Sequence, residues 1–113
     1  MSTIFTKIIN KEIPADIIYE DEELLAFNDI SPQAPVHILI IPKKEIATLN
    51  DLEDTDQILV GKMLSLAKKL AKKHGINETG YRTIFNCNED GGQTVFHIHL
   101  HLLGGRKLDW PPG

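Results

Sequence analysis

Five residues, His97-Ile98-His99-Leu100-His101, alternate an imidazole with a large aliphatic side chain, and Leu102-Leu103 close the run. Strict alternation is the signature of a strand, and successive side chains of a strand point to opposite faces of its sheet. Ile98, Leu100 and Leu102 are therefore predicted to enter a core, with His97, His99 and His101 lined up on the other face. A lone histidine in a strand is ordinarily a structural residue. Three on one face have no packing rationale, because Thr, Lys or Glu would serve a solvated surface equally well.

Histidine is the commonest metal ligand, so zinc is the first alternative. Along a strand the Cα atoms of His97 and His101 stand roughly 13 Å apart, whereas two nitrogens bound ~2 Å from one zinc lie within about 4 Å of each other. All three therefore do not share one ion. Neighbours in the row could chelate with His37, but no Cys pair or carboxylate spacing supports this. The expectation is a site without metal or cofactor. Just upstream, Asp90-Gly91-Gly92-Gln93-Thr94 contains paired glycines that let backbone N–H groups approach a ligand closely and cradle an anion. Alone it reads as a tight turn. Joined to three imidazoles, the Thr94 hydroxyl and the Asn86 amide, it reads as a phosphate site, where fixed donors suit a phosphorus centre gaining charge.

The rest of the chain supplies a scaffold. A length of 113 residues with 42% hydrophobic content predicts one domain over 1–113 with a single core. No apolar run approaches the length of a membrane span and the first residues carry no signal-peptide core, so an intracellular, cytoplasmic protein without membrane attachment is expected. Cys87 is the only cysteine, compatible with a reducing compartment. The net charge of −4 lacks the basic footprint of nucleic-acid binders and favours a small ligand.

In chain order, Ser2–Lys11 is predicted as a short amphipathic helix capped by Ser2 or Thr3. Ile17–Glu20 and Leu24–Asn28 read as strands around the acidic turn Asp21-Glu22-Glu23. After the proline-punctuated loop from Asp29 to Pro35, Val36–Ile41 reads as a buried strand carrying His37, a polar ring that needs a partner. Ile46–Leu49 is predicted as one turn. A long helix over Thr55–His74, opened by Asp51, Glu53, Asp54 and Asp56, has Leu59, Val60, Met63, Leu64, Leu66, Ala67, Leu70 and Ala71 along one face. Its lysines Lys68, Lys69, Lys72 and Lys73 form a solvated face, and Gly75 stops it. Tyr81–Asn86 and Val95–Leu103 complete five strands. The pattern predicts an α+β domain, an antiparallel sheet with one face covered and the other left for ligand.

Gln93-Thr94-Val95-Phe96 followed by His97-x-His99-x-His101 and Leu102-Leu103 resembles the signature of the histidine-triad superfamily. Leu103-Gly104-Gly105-Arg106 with Trp110-Pro111-Pro112-Gly113 resembles its Hint branch, the purine nucleoside phosphoramidases, rather than the Fhit branch of dinucleoside polyphosphate hydrolases. Related nucleotidyltransferases carry Gln where His101 stands, so the resemblance points to hydrolysis rather than transfer. It implies a five-stranded antiparallel sheet with two helices, joined into ten strands across a homodimer.

The resemblance also implies roles. His99 is the nucleophile on the α-phosphate of a purine nucleotide derivative, reacting as neutral imidazole through a covalent nucleotidyl-histidine. His97 assists the leaving group, and His101 with His37 orients the nucleophile. Asn86, Gly92, Gln93 and Thr94 contact phosphate, Asp29 accepts from the ribose hydroxyls, and Phe5, Ile8, Phe27, Ile30 and Leu39 wall the purine. Substrates would be adenosine or guanosine 5′-phosphoramidates and aminoacyl adenylates, releasing AMP or GMP. The rivals are a nucleotide-binding regulatory or scaffold module and a dinucleoside polyphosphate hydrolase. Two departures from the branch stand out: Cys87-Asn88-Glu89 replaces Glu-Gly and a small residue, and Thr94 replaces the usual Ser.

Overall fold

The computed structural model describes residues 2–113; Met1 lies outside the described residues. Helix α1 (Ile4–Ile9) is shorter than the predicted Ser2–Lys11. Thr3 is its N-cap: the Thr3 hydroxyl accepts from the N–H groups of Phe5 and Thr6, and the Thr6 hydroxyl accepts from the Thr3 N–H, a reciprocal capping box. Three strands follow as an antiparallel meander, β1 (Ile17–Glu20), β2 (Leu24–Asn28) and β3 (Val36–Pro42). The Asp21 carboxylate accepts from the N–H groups of Glu23 and Leu24 and so holds the β1–β2 turn.

Two 3₁₀ turns, Leu49–Asp51 and Asp54–Asp56, delay the long helix α2 to Gln57–Lys73. The Asp51 and Asp56 carboxylates accept from the Thr48 and Glu53 N–H groups, so these acids act as local caps before the helix rather than as its first turn. The turn predicted at Ile46–Leu49 is thereby displaced to Leu49–Asp51. Met63, Leu66, Ala67, Leu70 and Ala71 are buried as the 3.6-residue period requires, whereas Leu64, at the margin of the apolar arc, is 46% exposed.

Strand β4 (Tyr81–Ile84), a one-turn helix α3 (Asn88–Gly91) and β5 (Leu100–Gly104) complete the chain. The five-stranded antiparallel sheet has the order β1-β2-β3-β5-β4. Period-two alternation divides its side chains. Leu24, Ala26, Ile38, Ile40, Leu100 and Leu102 pack under α2, and Leu25, Phe27, Leu39 and Ile41 pack with Phe5 and Ile8 of α1. The face expected to be free for ligand is thus half covered by α1. Strands buried on both faces read as continuous apolar runs, as Ile38–Pro42 of β3 does.

Both later strands are shorter than predicted, and the register explains each case. Continuing the β3–β5 pairing past Ile40↔Leu100 would set Pro42 opposite Ile98, and proline has no N–H to offer the ladder. Ile98 N–H donates instead to the Ile46 carbonyl, and residues 95–99 leave the sheet. Continuing the β4–β5 pairing past Ile84↔His101 would set Asn88 opposite His97. The Asn88 N–H donates instead to the Gln93 side-chain oxygen at 2.9 Å, and α3 takes the place of a longer strand.

Candidate active site

Although His97 and His99 lie outside the paired strand, the alternation survives. Ile98, Leu100 and Leu102 enter the core under α2, and the three imidazoles fall on the opposite side. Their surroundings differ. His97 is 1% exposed, and its Nε2 lies 2.7 Å from the Pro42 carbonyl, so that nitrogen carries the proton and donates. The His99 Nδ1–H donates to the His97 carbonyl at 2.8 Å. This leaves Nε2 with its lone pair on a ring that lines the cleft beneath α1. The Phe5 ring meets His99 edge-on, centroids 4.9 Å apart.

The remaining protons follow from one backbone group. The Gln33 N–H donates to His37 Nδ1 at 3.0 Å, so the neutral His37 ring carries its proton on Nε2. That proton faces His101 Nδ1 at 2.9 Å, and His101 then carries its own proton on Nε2. The His37 Nε2 also stands 3.5 Å from the Asp29 carboxylate, which accepts from the Ser31 N–H as well. Burial pushes the pKa values of His37, His97, His99 and His101 below the usual imidazole value. His101, burdened further by its neighbours His99 and His37, falls to about 4. All four rings are neutral at neutral pH.

Asp29, His37 and His101 each present a ligand atom within 4.8 Å of one another. A cation there would have to displace the His37 Nε2 proton while the Gln33 N–H still occupies Nδ1. The donor set therefore fits a shared proton better than a metal ion.

A cleft of about 270 Å³ gathers most of the predicted ligand residues: Phe5, Ile8, Phe27, Asp29, Ile30, Leu39, Thr94, His99 and His101. Ile30 stands 94% exposed at its rim. A wider cleft of about 720 Å³ shares His101 and adds His37, Asn86, Gln33, Arg82 and Trp110. Gly92, Gln93 and His97 line neither. Gly92, at φ 83°, ends α3, two residues before Thr94 in sequence. Gln93 is 5% exposed, and its amide is engaged by Asn88, Ala47 and Val95. These three bonds engage the Gln93 amide oxygen and nitrogen and brace the turn that leads to Thr94. The His97 ring is likewise closed off from both clefts and bonded to the Pro42 carbonyl. Ile4, Ile13, Pro14, Ala15, Asn28 and Val95 also line the cleft and were not among the predicted residues; only the folding of α1 over the sheet brings them there.

The buried rings predict acid sensitivity. The unfolded chain takes up protons on histidine near pH 6.5, while the folded chain resists until the lowered values are reached. Over that window the unfolded state binds more protons, so stability falls as the pH falls. Melting temperature should drop from pH 7 toward pH 4, and His97→Gln, which keeps a donor to Pro42 but cannot titrate, should flatten the slope. A melting temperature constant across that range would contradict the burial of neutral rings as the cause.

The sheet order, the clefted face and the imidazole row invite comparison with known proteins. The HIT domain family matches residues 10–108. An uncharacterized HIT-like protein of Synechococcus elongatus is 58% identical over 98% of this chain and 96% of its own length. Purine nucleoside phosphoramidase of Escherichia coli K12 is 57% identical over 94% of this chain and 89% of its own. The crystal structure of a HIT family hydrolase from Legionella pneumophila superposes with a TM-score of 0.97 at 58% identity, covering 99% of this chain and all of the other. With its triad held in the neutral, backbone-fixed form just described, this chain belongs to the HIT domain family.

Proposed function

We propose that this chain is a cytoplasmic purine nucleoside phosphoramidase that hydrolyses the P–N bond of purine nucleoside 5′-phosphoramidates through a nucleotidyl intermediate on His99. The observation that carries the reading is the His99 ring: its Nδ1–H is fixed on the His97 carbonyl, so a neutral imidazole offers Nε2 as nucleophile. The similarity to the phosphoramidase of E. coli supports the bond type. No helix among the described residues is long and apolar enough to cross a membrane.

The purine lies among Phe5, Ile8, Phe27, Leu39 and Ile30, the ribose hydroxyls donate to Asp29, and the phosphate meets Thr94, Asn86 and the backbone at Gly92. As the bond from His99 Nε2 to phosphorus forms, the P–N bond breaks, and the departing nitrogen takes a proton from a water molecule polarised by the His101 Nε2–H, so that His101 itself stays neutral. His101, oriented by His37, thus occupies the leaving-group role expected of His97. The hydroxide left by that water splits the intermediate, releasing AMP or GMP. Adenosine 5′-phosphoramidate should turn over faster than a diadenosine polyphosphate by about tenfold or more, and dialysis against a chelator should leave the rate intact. The reverse preference would make the chain a dinucleoside polyphosphate hydrolase, and tight AMP binding without turnover of either would make it a binding module.

We also propose a homodimer with a ten-stranded sheet. The β1 edge carries an irregularity between Ile17 and Tyr19, a feature that discourages strand addition, whereas the pairing of β4 is regular and its outer edge is open. Ile58 and Leu64 of α2, with Tyr81 of β4, expose apolar surface, and two-fold dimers are the commonest oligomers. Sedimentation at micromolar concentration should give twice the chain mass, and Leu64→Asp should lower it. A monomer in both samples would end the proposal.

A further inference from the structure

The sequence Gly104-Gly105-Arg106 closes β5, and Arg106 lines neither cleft of the site. It is nevertheless built against the loop that carries Asp29. A Cβ on Gly104 would lie 2.5 Å from Ile76 Cδ1, and one on Gly105, at φ +92°, would lie 2.9 Å from Pro35 Cβ. Only glycines let the chain leave the sheet this close to Pro35. Arg106 then reaches the same loop: its Nε donates to the Gln33 carbonyl at 3.1 Å, and its Nη1 to the Lys107 carbonyl at 3.0 Å. The backbone of Gln33 is thereby held on one side by a guanidinium and on the other by its N–H bond to His37 Nδ1.

We propose that Arg106 is a positioning residue which, by holding the Gln33 backbone, dictates which nitrogens of His37 and His101 carry protons. The proposal rests on the phosphoramidase reading for its kinetic consequence, but not for its spectroscopic one. While the Gln33 N–H points at His37 Nδ1, the proton of His37 stays on Nε2, and the His101 ring presents N–H to the reacting centre. When that amide drifts, His37 can protonate at Nδ1 and accept at Nε2. His101 then donates from Nδ1 and turns a lone pair toward the phosphate oxygens. A donor at the phosphorus centre becomes an acceptor there, although no atom in contact with substrate has been replaced. A single backbone hydrogen bond of this kind biases the two tautomers by about tenfold.

The test uses the full-length protein, ¹⁵N-labelled and free of substrate, with long-range ¹⁵N–¹H correlations of the imidazole rings at neutral pH. In the wild type, Nδ1 of both His37 and His101 should resonate as unprotonated acceptors and Nε2 of both as N–H. Arg106→Ala should introduce the opposite tautomer, lower kcat about tenfold and leave KM within about twofold, with Arg106→Lys between the two. Gln33→Pro, which deletes the N–H, should shift the tautomers further. Wild-type tautomers and wild-type kcat in Arg106→Ala would overturn the proposal, as would an Nδ1–H signal from His37 in the wild type. A tautomer shift with unchanged kcat would confine Arg106 to a structural role and overturn its influence on the reacting centre. Absence of phosphoramidate turnover by the wild type would instead defeat the reading of function, and the ring spectra would still decide this one.

Discussion

His99→Ala should hydrolyse adenosine 5′-phosphoramidate about 10⁴-fold or more slowly than the wild type while binding AMP within about threefold, because the deleted imidazole acts chiefly in the transition state. The fold should tolerate the change. His99 lies outside the paired strand and outside both core clusters, and its ring packs edge-on with Phe5, a pair worth about 0.5–1.5 kcal/mol. Rapid quench of the wild type with labelled substrate should trap an acid-labile, base-stable adduct, and peptide mapping should place it on Nε2 of His99, since Nδ1 is committed to the His97 carbonyl. An adduct on His97, His101 or Cys87, or near-normal turnover by His99→Ala, would show that the nucleophile has been misassigned.

His101→Ala should cost about 10²–10⁴-fold, the usual span for loss of assisted proton transfer, because the water that protonates the departing nitrogen loses its polarising N–H, and the loss should depend on the leaving group. A strongly basic alkylamine cannot leave without a proton, whereas an aromatic amine departs more readily on its own. A plot of log kcat/KM against leaving-amine basicity should therefore be steeper for the variant than for the wild type. Parallel plots would place the donor elsewhere. His97 is a poor second candidate, because its protonated nitrogen is bound to Pro42 and its ring is closed to both clefts.

Much of this arrangement was legible in the residues. Alternation separated the core face of Ile98, Leu100 and Leu102 from the imidazole face, and the helical period found the buried side of α2. Both signals are local, and packing agrees with them. Strand lengths were not legible, because they depend on what stands opposite. Pro42 ends a ladder in which it is the partner, and Gln93 takes an amide from a residue five positions upstream. For the same reason His97 and His99, two residues apart and alike in sequence, have different environments. The Gln33 amide left no trace, since every residue but proline carries one. The only hint was Arg106 after two glycines, a motif that resembled a family signature and whose bond to Gln33 exists only in the folded chain.

The early end of β4 bears on any attempt to make this protein more heat-resistant. The usual remedies lengthen strands, complete ladders and remove irregular loops. Here an extended β4 would deliver the Asn88 amide to the His97 carbonyl, the same oxygen that accepts from Nδ1–H of His99 and leaves Nε2 of that ring with its lone pair. Selection for melting temperature alone should accordingly accept changes on the outer face of α2 and reject or inactivate those between Phe85 and Gln93. A more complete sheet would be a sturdier protein with Nε2 of His99 capped by a proton.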